Sequence, residues 1–243
     1  MIHTKMRPLL LILFSFLALL LVAPTHLSFF TWSDHGLVEA SSSPSGFTIL
    51  SPSPTDLDQD GQPEIVILQG GKVEIRRDDR LLWSSPSSWD ITQVEIADLN
   101  HDGKSEVALL LWREFAPWPI DAYIPHPGRI QDFHDRENRS CHLILIGWSQ
   151  GAFRELWAGS ALADPLSAFT AIDINQDGYQ ELAALESQYN APLFATQSIT
   201  IWEWNGFGFT LLSRGPKGYV HSLNRLRTTT AQELLLIQGI IRR

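Results

Sequence analysis

Four short apolar runs recur along the chain: IVILQG at 65–70, VALLLW at 107–112, LAAL at 182–185 and LLLIQG at 234–239. Each is uninterrupted, too short for an ordinary helix and bounded by turn residues, which marks a buried strand. Other segments read as hairpins. HLILIGWSQGAFRELW (142–157) and SITIWEWNGFGFTLL (198–212) each place a glycine-containing turn between two strand-like halves, and KVEIRRDDRLLW (72–83) is a plainer copy. The order strand, loop, strand, connection, strand, turn, strand therefore runs three times, and a fourth copy begins at 220–239.

The amino terminus differs in kind. LLLILFSFLALLLVA spans 9–23 without a charge, preceded by Lys5 and Arg7. Its length falls between a signal-peptide core and a membrane span of about 20 residues. The basic flank before it, and Asp34 and Glu39 after it, place the amino terminus inside and the bulk outside. The expectation is an N-terminal apolar helix within 1–23, acting as a cleaved signal peptide or a retained signal anchor. The remainder would then be extracytoplasmic, secreted or held at the membrane through residues 9–23. Residues 24–46, ending in EASSSPSG, are expected to be a polar linker.

Loops of one kind precede the apolar runs. DLDQDGQPE (56–64), DLNHDGKSE (98–106) and DINQDGYQE (173–181) all fit D-x-[DN]-x-D-G-x-x-E. Ten of the 27 acidic residues fall in these loops, so the formal charge of -9 is largely local. With no basic patch to grip phosphates, a nucleic-acid partner is not expected. Crowded carboxylates repel unless something neutralises them, and alternate side chains of a tight loop converge on one point, as calcium requires. The candidate ligands are Asp56, Asp58, Asp60 and Glu64; Asp98, Asn100, Asp102 and Glu106; and Asp173, Asn175, Asp177 and Glu181. Gln62, Lys104 and Tyr179 would add backbone carbonyls, for up to three Ca2+ sites. An EF-hand needs a glutamate at position twelve, where this chain has Ile67, Leu109 and Ala184. Plain Asp/Asn/Gly turns would need no glutamate at a fixed place.

The repeat spacing supports one architecture. Asp56 to Asp98 is 42 residues; Asp98 to Asp173 is 75, of which an insertion near 113–141 accounts for about 29. Repeats of roughly 40–50 residues with four antiparallel strands are propeller blades. The expected fold is all-β: a β-propeller-like array of four-stranded antiparallel blades, three full and one partial, over 47–243. In the fourth copy the metal positions align with Arg225, Arg227 and Thr229 before Glu233, so either a guanidinium replaces the cation or the turn is metal-free. These loops and strands resemble FG-GAP/VCBS repeats, the calcium-loop blades of integrin α-subunit propellers and of many bacterial exported proteins. The resemblance covers 47 to about 239 and implies calcium at the positions named and a role in adhesion or recognition. Such propellers usually have about seven blades. The alternatives for this chain are to close as four with an amino-terminal strand, to stay open, to pair with a second copy as a homo-oligomer, or to be truncated.

Two connections on the face opposite the acidic loops are long: 113–140 and 187–197. Binding residues tend to sit on such loops, so a protein or glycan partner is expected there, or the loops merely cap the array. The first contains His126, Asp132, His134, Asp135 and Glu137, from which an acid/base pair or second metal site could be drawn; a solvated loop is the plainer reading. Trp118, Tyr123, Tyr189 and Phe194 would stack on sugars or pack the loop. Asn138-Arg139-Ser140 is a glycosylation sequon, and Trp148, Trp157, Trp202 and Trp204 are expected to pack the core. Cys141, the only cysteine, excludes an internal disulfide and reads as a small buried residue or an interchain partner. No nucleophile or phosphate-binding motif occurs. The function expected is a binding or adhesion module with structural calcium rather than an enzyme; the alternative is a polysaccharide-active enzyme using the 113–140 face.

Overall fold

The computed structural model describes residues 26–49, 54–116, 132–192 and 195–242. Among these residues every element is a strand and every strand pairing is antiparallel. None of them forms a helix long and apolar enough to cross a membrane. The apolar helix expected within 1–23 lies outside the described residues.

The second repeat is the complete unit. β7 (Asp90–Ala97), β8 (Glu106–Glu114), β9 (Arg139–Ser149) and β10 (Ala152–Ala158) form a sheet in the order β10-β9-β8-β7. Gln150 and Gly151 both have positive φ, 52° and 79°, the geometry of a tight hairpin turn matched to strand twist. β8 explains its own sequence. Val107, Leu109 and Leu111 pack to one side with Val73 and Ile75 of the first repeat, whereas Ala108 and Leu110 pack to the other with Phe169 and Leu182 of the third. A strand buried on both faces reads as an unbroken apolar run. On the third-repeat side Ala97, Ala108, Ala171 and Ala184 line the contact, and Phe169 is fully buried among them.

The third and fourth repeats share one sheet. β11 (Leu166–Ile172), β12 (Glu181–Glu186) and β13 (Gln197–Trp204) lead into β14 (Phe209–Thr228), whose first half pairs β13 and whose second half pairs β15 (Glu233–Ile241). The switch falls at Gly218, which faces Gln197 on one side and Ile241 on the other. A Cβ there would lie 2.6 Å from the Ile240 carbonyl oxygen, so only glycine lets the two backbones pass.

Residues 26–39 complete the fourth unit, which corrects the assignment of 24–46 as a linker. β1 (His26–Ser33) pairs β15 with Phe30 opposite Leu235, and β2 (Gly36–Glu39) pairs β1. The physical reason is the edge of β15. Its residues Leu234–Ile237 are buried, and without β1 an apolar strand would present unpaired N–H and C=O groups to water. The polar tail EASSSPSG masked a real strand pattern in SFFTW. A short strand, β3 (Phe47–Ile49), lies on the other side of β14.

The first repeat is the reduced one, so the expectation of three full units and one partial is right in kind but wrong in place. β4 (Ile65–Gln69), β5 (Lys72–Arg77) and β6 (Arg80–Ser84) form three strands, and the inner strand shrinks to a single bridge, Thr55 to Glu64. The sheets stack in sequence order, but no closed propeller forms among the described residues. Accordingly Ile65 and Ile67, on the outward face of β4, stay 47% and 39% exposed. Cys141 is buried and unpaired in β9, as a small core residue. The tryptophans expected in the core, Trp148, Trp157, Trp202 and Trp204, are half-buried; Trp157 and Trp202 pack on the core between the second and third units, Trp148 on that between the first and second, and Trp204 edge-on against Trp157.

Replacing Phe30, 1% exposed, tests the amino-terminal strand. Phe30→Ala is expected to cost about 3–5 kcal/mol in urea unfolding, the range for a truncated core aromatic. A linker residue would change stability by less than about 0.5 kcal/mol.

Candidate metal centres at the acidic loops

The three acidic loops share one backbone. The fourth residue of each, Gln59, His101 and Gln176, is left-handed with φ of 60°, 60° and 62°, and the glycines Gly61, Gly103 and Gly178 have φ of 90°, 84° and 92°. A Cβ on any of these glycines would meet nothing within 4 Å, so conformation rather than space demands them. The first aspartate wraps the turn: Asp60 N–H donates to Asp56 Oδ1 at 3.1 Å and Gly61 N–H to Asp56 Oδ2 at 2.8 Å. Asp98 and Asp173 accept the equivalent pairs at 2.9–3.1 Å. The fifth residue accepts from the seventh, Gln62, Lys104 or Tyr179. The second residue, Leu57, Leu99 or Ile174, is buried and pins the loop to the core.

Each loop ends on a buried glutamate that opens the next strand or its bridge. Glu64, Glu106 and Glu181 face Thr55, Ala97 and Ile172 across the sheet, and none is more than 1% exposed. Ionised carboxylates that deep need compensation, and the loops differ in how they obtain it.

In the first loop Arg77 provides it. Arg77 donates from Nε to Glu64 Oε1 at 2.9 Å, from one terminal nitrogen to Asp60 Oδ2 at 2.6 Å, and from the other to Asp58 Oδ2 at 2.7 Å and to Glu64. Leu57 N–H donates to the remaining Glu64 oxygen at 2.8 Å. The bond to Glu64 is the main reason the guanidinium holds its proton even more tightly than usual.

In the second loop nothing does. Neither oxygen of Glu106 has a hydrogen-bond partner. Burial pushes its pKa up to about 8, the Asp102 and Asp98 charges add to this, and the Leu99 and Asn100 N–H groups offset it without reaching bonding geometry. Glu181 is intermediate. Its Oε2 accepts from Ile174 N–H at 3.1 Å while Oε1 has no partner. Burial raises it to about 7, against the Ile174 bond and with help from Asp177 and Asp173.

The fourth turn is built otherwise. Strand pairing sets Arg227 opposite Glu233, leaving 228–232 where the other loops have 56–63, 98–105 and 173–180. The alignment of Arg225, Arg227 and Thr229 with metal positions is therefore corrected: the turn is too short for the loop. Arg227 donates to Glu233 Oε1 at 2.7 Å, and Asp173 N–H donates to the other oxygen at 3.1 Å.

These geometries test which loops suit a divalent cation. Asp98, Asp102 and Glu106 each bring an oxygen within 4.8 Å of the others, and the orphaned Glu106 oxygens lack only a positive partner. The third loop carries donors of the same kind, with one orphaned oxygen on Glu181, but Asp173, Asp177 and Glu181 do not gather within 4.8 Å, and Asn175 Nδ2 donates to Asp177 Oδ2 at 2.9 Å. Hard oxygen sets of this type match calcium. Asp56, Asp58 and Glu64 also lie within 4.8 Å, but the guanidinium already stands among them, so the first loop does not fit.

Neighbouring loops touch. Gln180 accepts from Asp98 N–H through its side chain at 3.2 Å and from His101 Nε2 through its carbonyl at 3.0 Å, and the His101 and Tyr179 rings lie 4.9 Å apart. On the inner strands Glu95 accepts from Thr170 Oγ1 and Ala171 N–H, tying β7 to β11.

At the opposite end the two long connections meet: Arg136 N–H donates to Asn190 Oδ1 at 2.8 Å. Asp135 is committed to this turn, accepting from Arg139 N–H at 2.7 Å and Arg139 Nε at 3.1 Å. His134 Nδ1 bonds the Asp135 carbonyl and its ring lies against Phe115. Asp132, Glu137 and Asn138 are exposed there. Tyr189 packs the loop, donating to Leu162 O and accepting from Cys141 N–H. Trp118, Tyr123, His126 and Phe194 lie outside the described residues. Sequence reading missed a cavity of about 300 Å3 beside this end, lined by Leu143, Trp157, Leu162, Leu182, Trp202 and Phe209, with the Arg214–Glu186 ion pair among its walls. It also missed Arg77, although its signal was present. The Gly70-Gly71 turn sets Gln69 opposite Lys72 and Ile65 opposite Arg76, which brings Arg77 level with Glu64.

Repeated antiparallel units, three of them carrying a glycine-turned acidic loop that closes on a buried glutamate, define an all-β repeat protein. Residues 56–109 match the family model of an FG-GAP-like repeat, so the chain carries an FG-GAP-like repeat across its first two acidic loops. No curated protein and no solved structure matches the chain.

Glu106→Gln separates the two states of the second loop. A carboxylate whose pKa is raised on folding costs stability only where it ionises: nothing below the usual carboxylate range, the full amount above about 8. In metal-free buffer at pH 9 the variant is expected to be more stable than wild type by on the order of 1–3 kcal/mol. In excess calcium the order reverses. Denaturant melts in the two buffers measure both.

Proposed function

We propose that the chain is an exported, β-propeller-like binding or adhesion module whose calcium is structural. One observation carries the calcium half: Glu106 is buried with both oxygens unpartnered, inside a loop whose other acids gather at the same point. Asp98, Asn100, Asp102 and Glu106 would hold one ion, and Asp173, Asn175, Asp177 and Glu181 a second, with carbonyls of Lys104 and Tyr179. A bound ion supplies charge compensation and ties each loop to its strand. Sites of this kind in extracellular modules bind at about 10⁻⁴–10⁻³ M, which suits a protein delivered outside the cell by its apolar residues 9–23.

The binding half is supported by the opposite end. The FG-GAP-like repeat suggests an interaction module, and the two long loops converge there beside an apolar cavity. A protein or glycan partner fits that end. The exposed Ile65 and Ile67 face offers a second copy of the chain a place to add to the array. A polysaccharide-active enzyme has less support, because Asp135, one of the candidate acids of the 113–140 connection, is occupied by Arg139.

Each ion at 100 times its dissociation constant stabilises by about 2.7 kcal/mol, and 1 kcal/mol moves the Tm of a domain this size by about 2–4 °C. Chelation is therefore expected to lower the Tm by roughly 10 °C or more, and calcium to restore it. An unchanged melt of a protein that contains no metal would overturn the calcium reading.

A further inference from the structure

The buried glutamates of the first three units occupy the same place in the repeat, yet they meet different residues on the neighbouring strand. One rung beyond the last paired residues, Glu64 faces Arg77, Glu106 faces Gly147 and Glu181 faces Glu203. Only the first unit sets a cation there. The Arg77 fork spans three of the four carboxylates of its loop, and the fourth, Asp56, has both oxygens occupied by Asp60 and Gly61 N–H groups. An arginine does not lose its charge in a protein, and its charge-assisted bonds are among the stronger ones available. A calcium ion could enter only by expelling the guanidinium.

We infer that Arg77 is a built-in counter-cation that replaces calcium in the first acidic loop, so that the protein takes two calcium ions and not the three its motifs promise. The inference rests on the reading of the second and third loops as calcium sites. The fourth unit uses the same device from another strand, Arg227 on Glu233. The array thus closes its two end units with tethered guanidinium groups and leaves its two middle units dependent on a dissolved ion. The end units hold their loops without calcium, while the middle pair responds to its concentration.

Equilibrium dialysis of the full chain against calcium alone tests this. Wild type is expected to bind two ions per chain, Arg77→Ala three, and Arg227→Ala two, since its turn lacks the ligands. Three ions on wild type, or two on both wild type and Arg77→Ala, would overturn the inference. Melts in metal-free buffer give a second, independent reading. Arg77→Ala is expected to melt below wild type, with Arg77→Lys recovering part of the loss and calcium restoring Arg77→Ala. Equal metal-free melts of the three proteins would overturn the inference whatever the ion count. Wild type that binds no calcium, with Arg77→Ala still destabilised, would sink the calcium reading of the middle loops and leave the role of Arg77 standing. If Arg77→Ala does not fold, the wild-type count of two or three decides alone.

Discussion

A carboxylate at the start of the second strand of every unit, sealed from water, is the constraint on which the structure turns. Glu64, Glu106, Glu181 and Glu233 sit where loop, strand and neighbouring sheet converge. Three of them hold a loop: Glu64 and Glu181 accept the N–H of the second loop residue, and Glu233 reaches across to the loop of the preceding unit, while Glu106 has no such bond. The cost is a buried negative charge, far larger than the worth of any single hydrogen bond unless it is neutralised. Guanidinium groups neutralise it in the outer units; the middle units leave oxygens open to an ion.

The apolar architecture makes that burial unavoidable. Sheets stacked face to face bury both sides of β8 and β12, so the residue that opens either strand is carried under the neighbouring sheet. The loops are held by the same packing, since Leu57, Leu99 and Ile174 anchor the second position of each in the core. Loop geometry and core are thus one system, and an event at the acidic turns is felt as strand stability. The opposite end is less constrained. There the connections lengthen, and the polar groups that hold them, Asp135 with Arg139 and Arg136 with Asn190, are turn contacts rather than sheet pairings.

Much of this was legible in the residues. The three acidic loops, their glycine turns, the buried strands after them and the hairpins at 150–151 and 205–208 all follow from local patterns, because φ > 0 and period-two or unbroken burial leave marks on neighbouring residues. Arg77 was legible in principle, since a two-residue turn fixes hairpin register. The left-handed Gln59, His101 and Gln176 carry no such mark, because the aspartates around them, not their own side chains, impose the conformation.

By itself, then, the sequence determined the repeat, the all-β class and the crowding of acids at three turns. Each is a property of residues within a few positions of one another. Tertiary structure alone decided the rest: that the chain's first strands lie beside its last, that one strand serves two units, and that the crowded turns are not equivalent. These outcomes depend on which backbone edge lacks a partner and which side chain stands across the sheet, and contacts between Phe30 and Leu235 join residues some 200 positions apart. No local pattern reports a contact of that span.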